Sequence, residues 1–500
     1  MADATQTSSN VFPFPGNDER LAGYSYYEQL LAGNHYAAYS IEAGKDFAER
    51  YARLRYIACN FAGLVSKVIA DILFGEEIQI KSKNNQDFLD AFYAENEMRV
   101  LNYESAISNS ARGDAVFRLS IKDNGILLDT INPAYYFPTL NVAGQVSTET
   151  LAWKKQVGDS WYLIQEIYNP GTIEVKINKL EGKNFSELGE GYDVNAFNLM
   201  AGTNYQALTL TGVSENLLVH IPNYRQGSYF GVSDYNDITS LMYALNNRIT
   251  KIDNILDKHS DPILAVPSGV LDENGQVKKE SFNLFELTDD GQKPEYIVWN
   301  ANLENAFTEI EKLVDLMFMF SETSPDIVGR GTGTAAESGR ALKMRLIRTI
   351  AKRNRKRLYY ELGLQQIFWI AQELSRVNGY NVGGETATGE SEYPTIVWSD
   401  GIVNDQTEDV QNTVAMVEAG LESQKRAIMA LQGVSDAEAT AIIQEIKDEK
   451  GGTKPFDPFA AYGGPGKNAA TTGTDGGMQS AQTGMTPQQQ PGMMQNNAGN

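Results

Sequence analysis

The sequence predicts an α+β protein with a projecting helical hairpin, and three observations predict it. Apolar residues recur at helical spacing through most of residues 20–110. From 116 to 179 the pattern changes to short runs bounded by turn signals, such as Asp123–Asn124–Gly125 and Asn132–Pro133. Helical spacing then returns at 233 and dominates to 449. At 500 residues the chain has material for two or three domains with ample core.

Residues 1–19 read as a flexible arm. In the helical stretch from Arg20 to Phe74, Leu30 and Leu31 precede Gly33, a stop signal, and Ala48 to Leu73 reads as one further helix. Gly75 ends it, and Glu77 to Lys81 reads as a short strand. Asp87 to Ser110 reads as two helices and Gly113 then breaks the pattern, so Arg112–Gly113–Asp114 marks a helix end rather than an adhesion motif. Strands are expected at Val116–Ile121, Gly125–Ile131, Tyr136–Leu140, Glu149–Val157, Trp161–Tyr168, Thr172–Lys179 and Leu217–Ile221. Ser233 is a good N-cap for a helix to about Asp257, with Ile238, Met242, Leu245, Ile249, Ile252 and Leu256 as its apolar stripe.

An insert with strand-like pieces at Ile263–Val266, Ser281–Leu287 and Tyr296–Trp299 separates that helix from a second, Leu303–Phe320. The two helices are expected to lie antiparallel as a hairpin with a capped tip. A hairpin this apolar predicts neighbouring subunits that cover it. Then GRGTGT places Gly329, Gly331 and Gly333 in five positions, a backbone with little steric restriction. One long helix is expected from Thr334 to Leu374. Its apolar stripe would be Leu342, Leu346, Ile350, Leu358, Leu362 and Phe368, with Arg345, Arg348, Lys352 and Lys356 on another stripe. Such a helix is too long for a compact domain to surround. A strand at Thr395–Trp398 and three short helices over 404–449 follow. Ser423 caps the second of these, and Ser435 with Glu438 forms a capping box for the third. The Gly, Gln and Met composition of 451–500 reads as a disordered tail.

Composition narrows the function classes. The formal net charge is -22, so equilibrium binding to nucleic acid through the chain as a whole is not expected. The single cysteine, Cys59, excludes an intrachain disulfide framework and fits a reducing compartment as a buried thiol. The N-terminus lacks a signal pattern, and no apolar run approaches the ~20 residues of a membrane span. The expectation is a soluble chain, cytoplasmic at synthesis and without a membrane partner.

No catalytic constellation emerges, and no cofactor is expected. His35, His220 and His259 lie far apart, so a zinc site is not expected. GRGTGTAAESGR lacks the Lys and Ser/Thr of a phosphate-cradling loop, because Arg340 follows Gly339. Asp253, Asp257, Glu309 and Glu311 read first as a solvated helix face. If the hairpins formed a ring, they would make an acidic wall that keeps a polyanion from sticking. The basic stripe reads either as subunit-to-subunit pairing or as phosphate contact, and the acidic total favours the first.

The order of these elements resembles the bacteriophage portal protein family, in its siphophage branch. The residues that carry the resemblance are NFAGLVSKVIADILFGEEIQIK, ARGDAVFRLSI with GILLDTINPAYYFP, GVSDYNDITSLMYALNNRITKIDNILDKHSDPILAV, NLENAFTEIEKLVDLMFMFSETSPDIVG, SGRALKMRLIRTIAKRNRKR and GVSDAEATAIIQEIKDE. The resemblance implies a wing at 20–232 and stem helices at 233–258 and 302–322. It implies a clip at 259–301, a tunnel loop at 323–336, a long kinked helix with wing strands at 337–402 and a helical crown at 403–449. It further implies a non-enzymatic ring, a dodecamer in most of the family, at one capsid vertex. Double-stranded DNA would be packaged and ejected through it. Expected partners are the terminase large subunit, head-completion or adaptor proteins, and major capsid and scaffolding proteins. The location would be the virion, after assembly in the host cytoplasm. Asp326, Gly329, Arg330, Gly331, Thr332, Gly333 and Thr334 would face DNA. The alternatives are a capsid or adaptor ring without DNA passage, and a DNA motor subunit, against which the absent phosphate loop argues.

Overall fold

The computed structural model describes residues 10–51, 55–259, 263–267, 284–287, 295–297, 303–331, 339–399 and 406–451. The chain divides into two compact units, 1–405 and 406–500.

In the first unit, α1 (Asp18–Leu31), α2 (His35–Tyr51) and α3 (Phe61–Phe74) replace the expected pair of helices. The single helix expected over Ala48–Leu73 is broken before Asn60, whose side chain caps α3 by accepting from the Gly63 amide at 2.8 Å. β1 (Gln79–Lys81), α4 (Gln86–Glu95) and α5 (Met98–Arg112) follow. Gly113 ends α5 at φ 89°, where its Cβ would strike the Gly231 carbonyl at 2.6 Å.

The β region contains β2 (Asp114–Lys122), β3 (Gly125–Ile131), β4 (Tyr136–Leu140), β5 (Val146–Val157), β6 (Ser160–Asn169) and β7 (Thr172–Glu181). Three elements missed by the sequence reading complete it: β8 (Glu187–Tyr192), α6 (Val194–Ala201) and β9 (Leu208–Leu210). β10 (Leu218–Pro222) pairs antiparallel with β2, which pairs with β3. The larger sheet runs β4-β5-β6-β7-β8. Its pleat sends Leu163 to one face and Tyr162 and Ile164 to the other, and both faces are covered. Tyr162 and Ile164 pack against Val194 and Phe197 of α6. Leu163 packs with Phe12 and Phe14. The flexible arm expected at 1–19 is therefore not flexible from Asn10 onward. Two buried aromatics hold it, and the Phe12 amide donates to the Ser186 carbonyl at 2.7 Å.

α7 (Thr239–His259) starts six residues after Ser233. Ser233 caps a preceding turn instead, accepting from the Tyr235 amide at 3.0 Å. β11 (Ile263–Pro267), β12 (Leu284–Leu287) and β13 (Glu295–Ile297) form a sheet ordered β12-β11-β13. α8 (Glu304–Phe320) packs on α7. The start of α7 (Met242, Leu245) and the end of α8 (Met317, Phe318) enter one core with Tyr39, Phe47 and Phe61, so the two helices run antiparallel.

The long helix is two: α9 (Gly339–Arg345) and α10 (Ile347–Asn378), with Leu346 between them. Of the stripe expected on it, Leu346 and Phe368 are buried, but Leu342, Leu358 and Leu362 are exposed. Tyr360, Leu364, Ile367, Ile370 and Leu374 are buried in their place. The main core surrounds the C-terminal half of α10, contrary to the expectation that the helix is too long for a compact domain to surround. Gly363 lets it lie on β10, since a Cβ there would meet Ile221 Cδ1 at 2.4 Å. β14 (Thr395–Val397) pairs with β1.

The second unit holds α11 (Gln406–Glu418), α12 (Gln424–Gln432) and α13 (Asp436–Gly451). Ser423 caps α12. In the capping box, the Ser435 amide donates to Glu438 at 2.9 Å and the Glu438 amide donates to Ser435 Oγ at 3.3 Å. The expected disordered tail lies outside the described residues beyond Gly451.

Candidate functional site

The loop between α8 and α9 is built from its base upward. Ser321 ends α8, and Glu322 turns the chain at φ 54°. Ser324 then caps a short 3-10 turn, Pro325–Val328. Ile327 packs against the main core and Val328 against the core beneath the hairpin, so this turn is seated on both. Gly329 follows at φ 74°. Arg330 is exposed, and its amide donates to the Pro325 carbonyl at 3.0 Å. Gly331 comes so close to Asp326 that a Cβ would meet Oδ1 at 1.9 Å. Thr332, Gly333 and Thr334 lie outside the described residues.

One face of α10 clamps the base of this loop. The Ser324 amide donates to Thr349 Oγ1 at 2.7 Å, and Lys352 Nζ donates to the Ser321 carbonyl at 2.9 Å. Arg348 pairs with Glu322 at 2.9 Å, and Arg355 pairs with the same carboxylate. Arg345 reaches back to Asp326 at 2.8 Å. That guanidinium holds the Asp326 carboxyl below its usual range.

Beneath the clamp is a buried charge cluster. Asp234 lies between Lys352 Nζ (3.2 Å) and Lys356 Nζ (2.8 Å). Ser110 Oγ donates to it at 2.6 Å and Asn223 Nδ2 at 3.1 Å, while Lys356 also bonds Asn223 Oδ1. Burial pushes the Asp234 carboxyl up. The ammonium groups of Lys352 and Lys356 outweigh that and hold it well below its ordinary value. Lys356 is pushed down to about 8, chiefly by burial, because one carboxylate must answer two ammoniums.

The basic stripe therefore corrects the expectation drawn from it. Lys352 and Lys356 are 3% and 2% exposed and pair inside their own chain, so neither a neighbouring subunit nor DNA phosphate can reach them. Arg345 and Arg348 also pair within the chain. The acids expected on the hairpin are exposed: Asp253 and Asp257 on α7, Glu309 and Glu311 on α8. Glu309 pairs with Arg248 across the two helices at 2.9 Å. Near the end of α8, Met319 and Phe320 are 61% and 51% exposed, and Phe307 near its start is half exposed.

The sequence reading missed Asp234, Glu322, Thr349 and Arg355. Lysines spaced i, i+4 on a helix whose other positions are buried were the available signal for Asp234. Its partners are too distant in the chain to be read from spacing. Among the described residues no group of three or more His, Cys, Asp or Glu could hold a metal ion. No described helix is long and apolar enough to cross a membrane.

A family model described as phage portal protein, SPP1 Gp6-like, matches residues 16–455. Similar solved chains come from a gene transfer agent (GTA) particle. A chain of the native virion is 12% identical, with 74% of this chain and 89% of that one covered and a TM-score of 0.40. A chain of the native neck computed with C12 symmetry has the same identity and coverage and a TM-score of 0.38. For the empty-particle neck computed with C6 symmetry the figures are 12%, 78%, 94% and 0.42. No curated protein matches the chain.

Proposed function

The chain belongs to the phage portal protein family, and from that premise we propose that its glycine loop is the DNA-facing element of a ring closed by the α7–α8 hairpins. The observation that carries this reading is the clamp. Residues 321–328 are fastened to α10 and to two cores, while Gly329, Arg330 and Gly331 beyond them are exposed. A loop held rigidly at its root and rich in glycine at its tip can follow a moving polymer without disturbing the ring. Arg330 supplies a cation for brief phosphate contact, which positions without reading sequence. Asp253, Asp257, Glu309 and Glu311 would keep that contact weak by lining the conduit with like charge.

Ring closure is supported by the exposed apolar flank at Phe307, Met319 and Phe320, which a neighbouring copy would cover. In this reading the ring has twelve subunits and sits at one capsid vertex. β11–β13 receive the terminase during filling and the head-completion proteins afterwards, and the chain performs no catalysis. The wing, stem, clip, tunnel-loop and crown boundaries stated above are part of the same proposal.

The test is Gly331→Val in an assembly system, read as DNA retained per particle. The Cβ displaces Asp326 and breaks its pair with Arg345. Rings should still form, and filling should fall at least tenfold. Normal filling would remove the loop from the DNA path.

A further inference from the structure

The outer face of α10 is apolar and, among the described residues, uncovered. Ile347, Leu358 and Leu362 are 56%, 65% and 69% exposed, and Ala351 between them is exposed as well. These four positions fall within an arc of roughly 60° and extend along about 22 Å of helix. They lie on the side opposite Tyr360, Leu364 and Ile367, which are buried. An apolar stripe of that length facing water marks an interaction surface.

Positive charge borders the stripe. Arg348 and Arg355 each lie one helical turn from Ala351, along the same edge, and their side chains are 74% and 41% exposed. Both guanidiniums pair with one carboxylate, Glu322 at the root of the glycine loop, so that edge keeps a net positive charge. From Gly339 to Tyr360 the sequence has nine Arg and Lys and no Asp or Glu, in a chain whose net charge is -22. α8 is the reverse. Glu304, Glu309, Glu311 and Asp315 stand against Lys312 alone, and beside Asp315 its last turns expose Leu316, Met319 and Phe320.

Those charges select what covers the stripe. Two copies of the α10 face would set arginines against arginines, and two copies of the α8 face would set carboxylates against carboxylates. Cross pairing matches both the charge and the apolar centre. A patch that meets a different patch on the next copy is also the contact that closes a ring. DNA matches poorly, because apolar side chains rather than phosphate-binding groups make the middle of the face. The chain's own stretch 452–500 carries Lys454 and Lys467 against Asp457 and Asp475, with no negative charge to spare.

We propose that the outer face of α10 receives α8 of a neighbouring copy, with Met319 and Phe320 against the apolar stripe and Asp315 joining Arg348 and Arg355. This names the counterpart of the α8 flank in the ring reading, and rests on that reading. The neighbour's Asp315 is then the second carboxylate at the loop's clamp, where Glu322 by itself holds two guanidiniums. Each loop root is fastened in part by the adjacent copy.

The test is sedimentation velocity of the full chain across a concentration series, with denaturant unfolding of the unassembled chain as the control. Leu358→Glu, at an exposed position, should raise the concentration at which rings form at least tenfold and leave the unfolding midpoint unchanged. Asp315→Arg and Arg348→Glu should each weaken assembly, and the two together should restore it, because the pair is rebuilt across the contact. Assembly should also weaken as salt rises, since exposed pairs are screened. Rings that tolerate Leu358→Glu, or a double variant no better than its single ones, overturn the proposal. Leu358→Glu rings that form normally but retain less DNA per particle assign the face to the channel and overturn it too. If the unaltered chain forms no rings, the ring reading itself fails and the proposal falls with it.

Discussion

Asp234→Asn removes the one carboxylate between two buried ammoniums while keeping nearly the same shape. At the observed 2.8 and 3.2 Å, and an effective dielectric constant of about 20, the two attractions are each about 5–6 kcal/mol. Much of that gross attraction offsets the desolvation of three charges and the mutual repulsion of the lysines. The expected net loss is therefore the usual cost of breaking a buried pair from one side, about 3–5 kcal/mol. Urea unfolding of the unassembled chain, followed by tryptophan fluorescence, reads it as a lowered midpoint. Asp234→Asn combined with Lys356→Met should recover part of the loss, because one of the stranded ammoniums is gone. The loop should loosen as well, since Lys352 holds the Ser321 carbonyl from the same cluster, and proteolysis near Ser324 should accelerate. A loss below about 1 kcal/mol would refute the claim that this cluster anchors the loop.

Other outcomes follow from the same geometry. Lys356 titrates near 8 in the folded chain and near 10.5 unfolded. The unfolded state thus holds more protons between those values, and stability from this group rises with pH across that window by about 3 kcal/mol. Lys356→Met should flatten that rise in denaturant midpoints measured from pH 8 to 10.5. Glu149 has the opposite sign: its folded value of about 7 lies above the unfolded 4.5, so its contribution is full below 4.5 and is lost as pH rises through 7. Glu149→Gln should remove that decline in denaturant midpoints measured from pH 4.5 to 7. Gly363→Ala drives a methyl into Ile221 and should cost about 1–3 kcal/mol by pushing α10 off β10, read by thermal unfolding. Phe307→Ser should leave the monomer's unfolding free energy within about 0.5 kcal/mol and shift sedimentation from rings to monomers.

Much of the fold was legible because periodicity is a local property. The strands Gly125–Ile131 and Tyr136–Leu140 have the bounds their turn signals implied, and the Ser435–Glu438 box closes as its spacing implied. Local signals failed where a distant partner outweighed them. Ser233 had the chemistry of a helix cap, yet its hydroxyl donates to the Ala111 carbonyl at 2.6 Å and α7 begins only at Thr239. The N-terminal arm read as polar and loose, but Phe12 and Phe14 found an uncovered sheet face. On α10 the elements packed against it select the face that is buried, with Tyr360, Leu364 and Ile367 inside and Leu358 and Leu362 outside, so the apolar stripe read from spacing identified the wrong leucines.

The sequence by itself determined the order of elements, the glycine loop between hairpin and long helix, and the family. All three depend on residue type and on spacing along a few turns of chain. The tertiary structure alone decided which charges meet. The basic stripe looks the same on paper whether it faces solvent, a neighbour or its own interior. Only the approach of Asp234, brought in from the segment before α7, turns Lys352 and Lys356 from contact residues into the buried anchor of the loop. The energy of a charge depends on what surrounds it within a few ångströms, and here those surroundings come from stretches more than 100 residues apart.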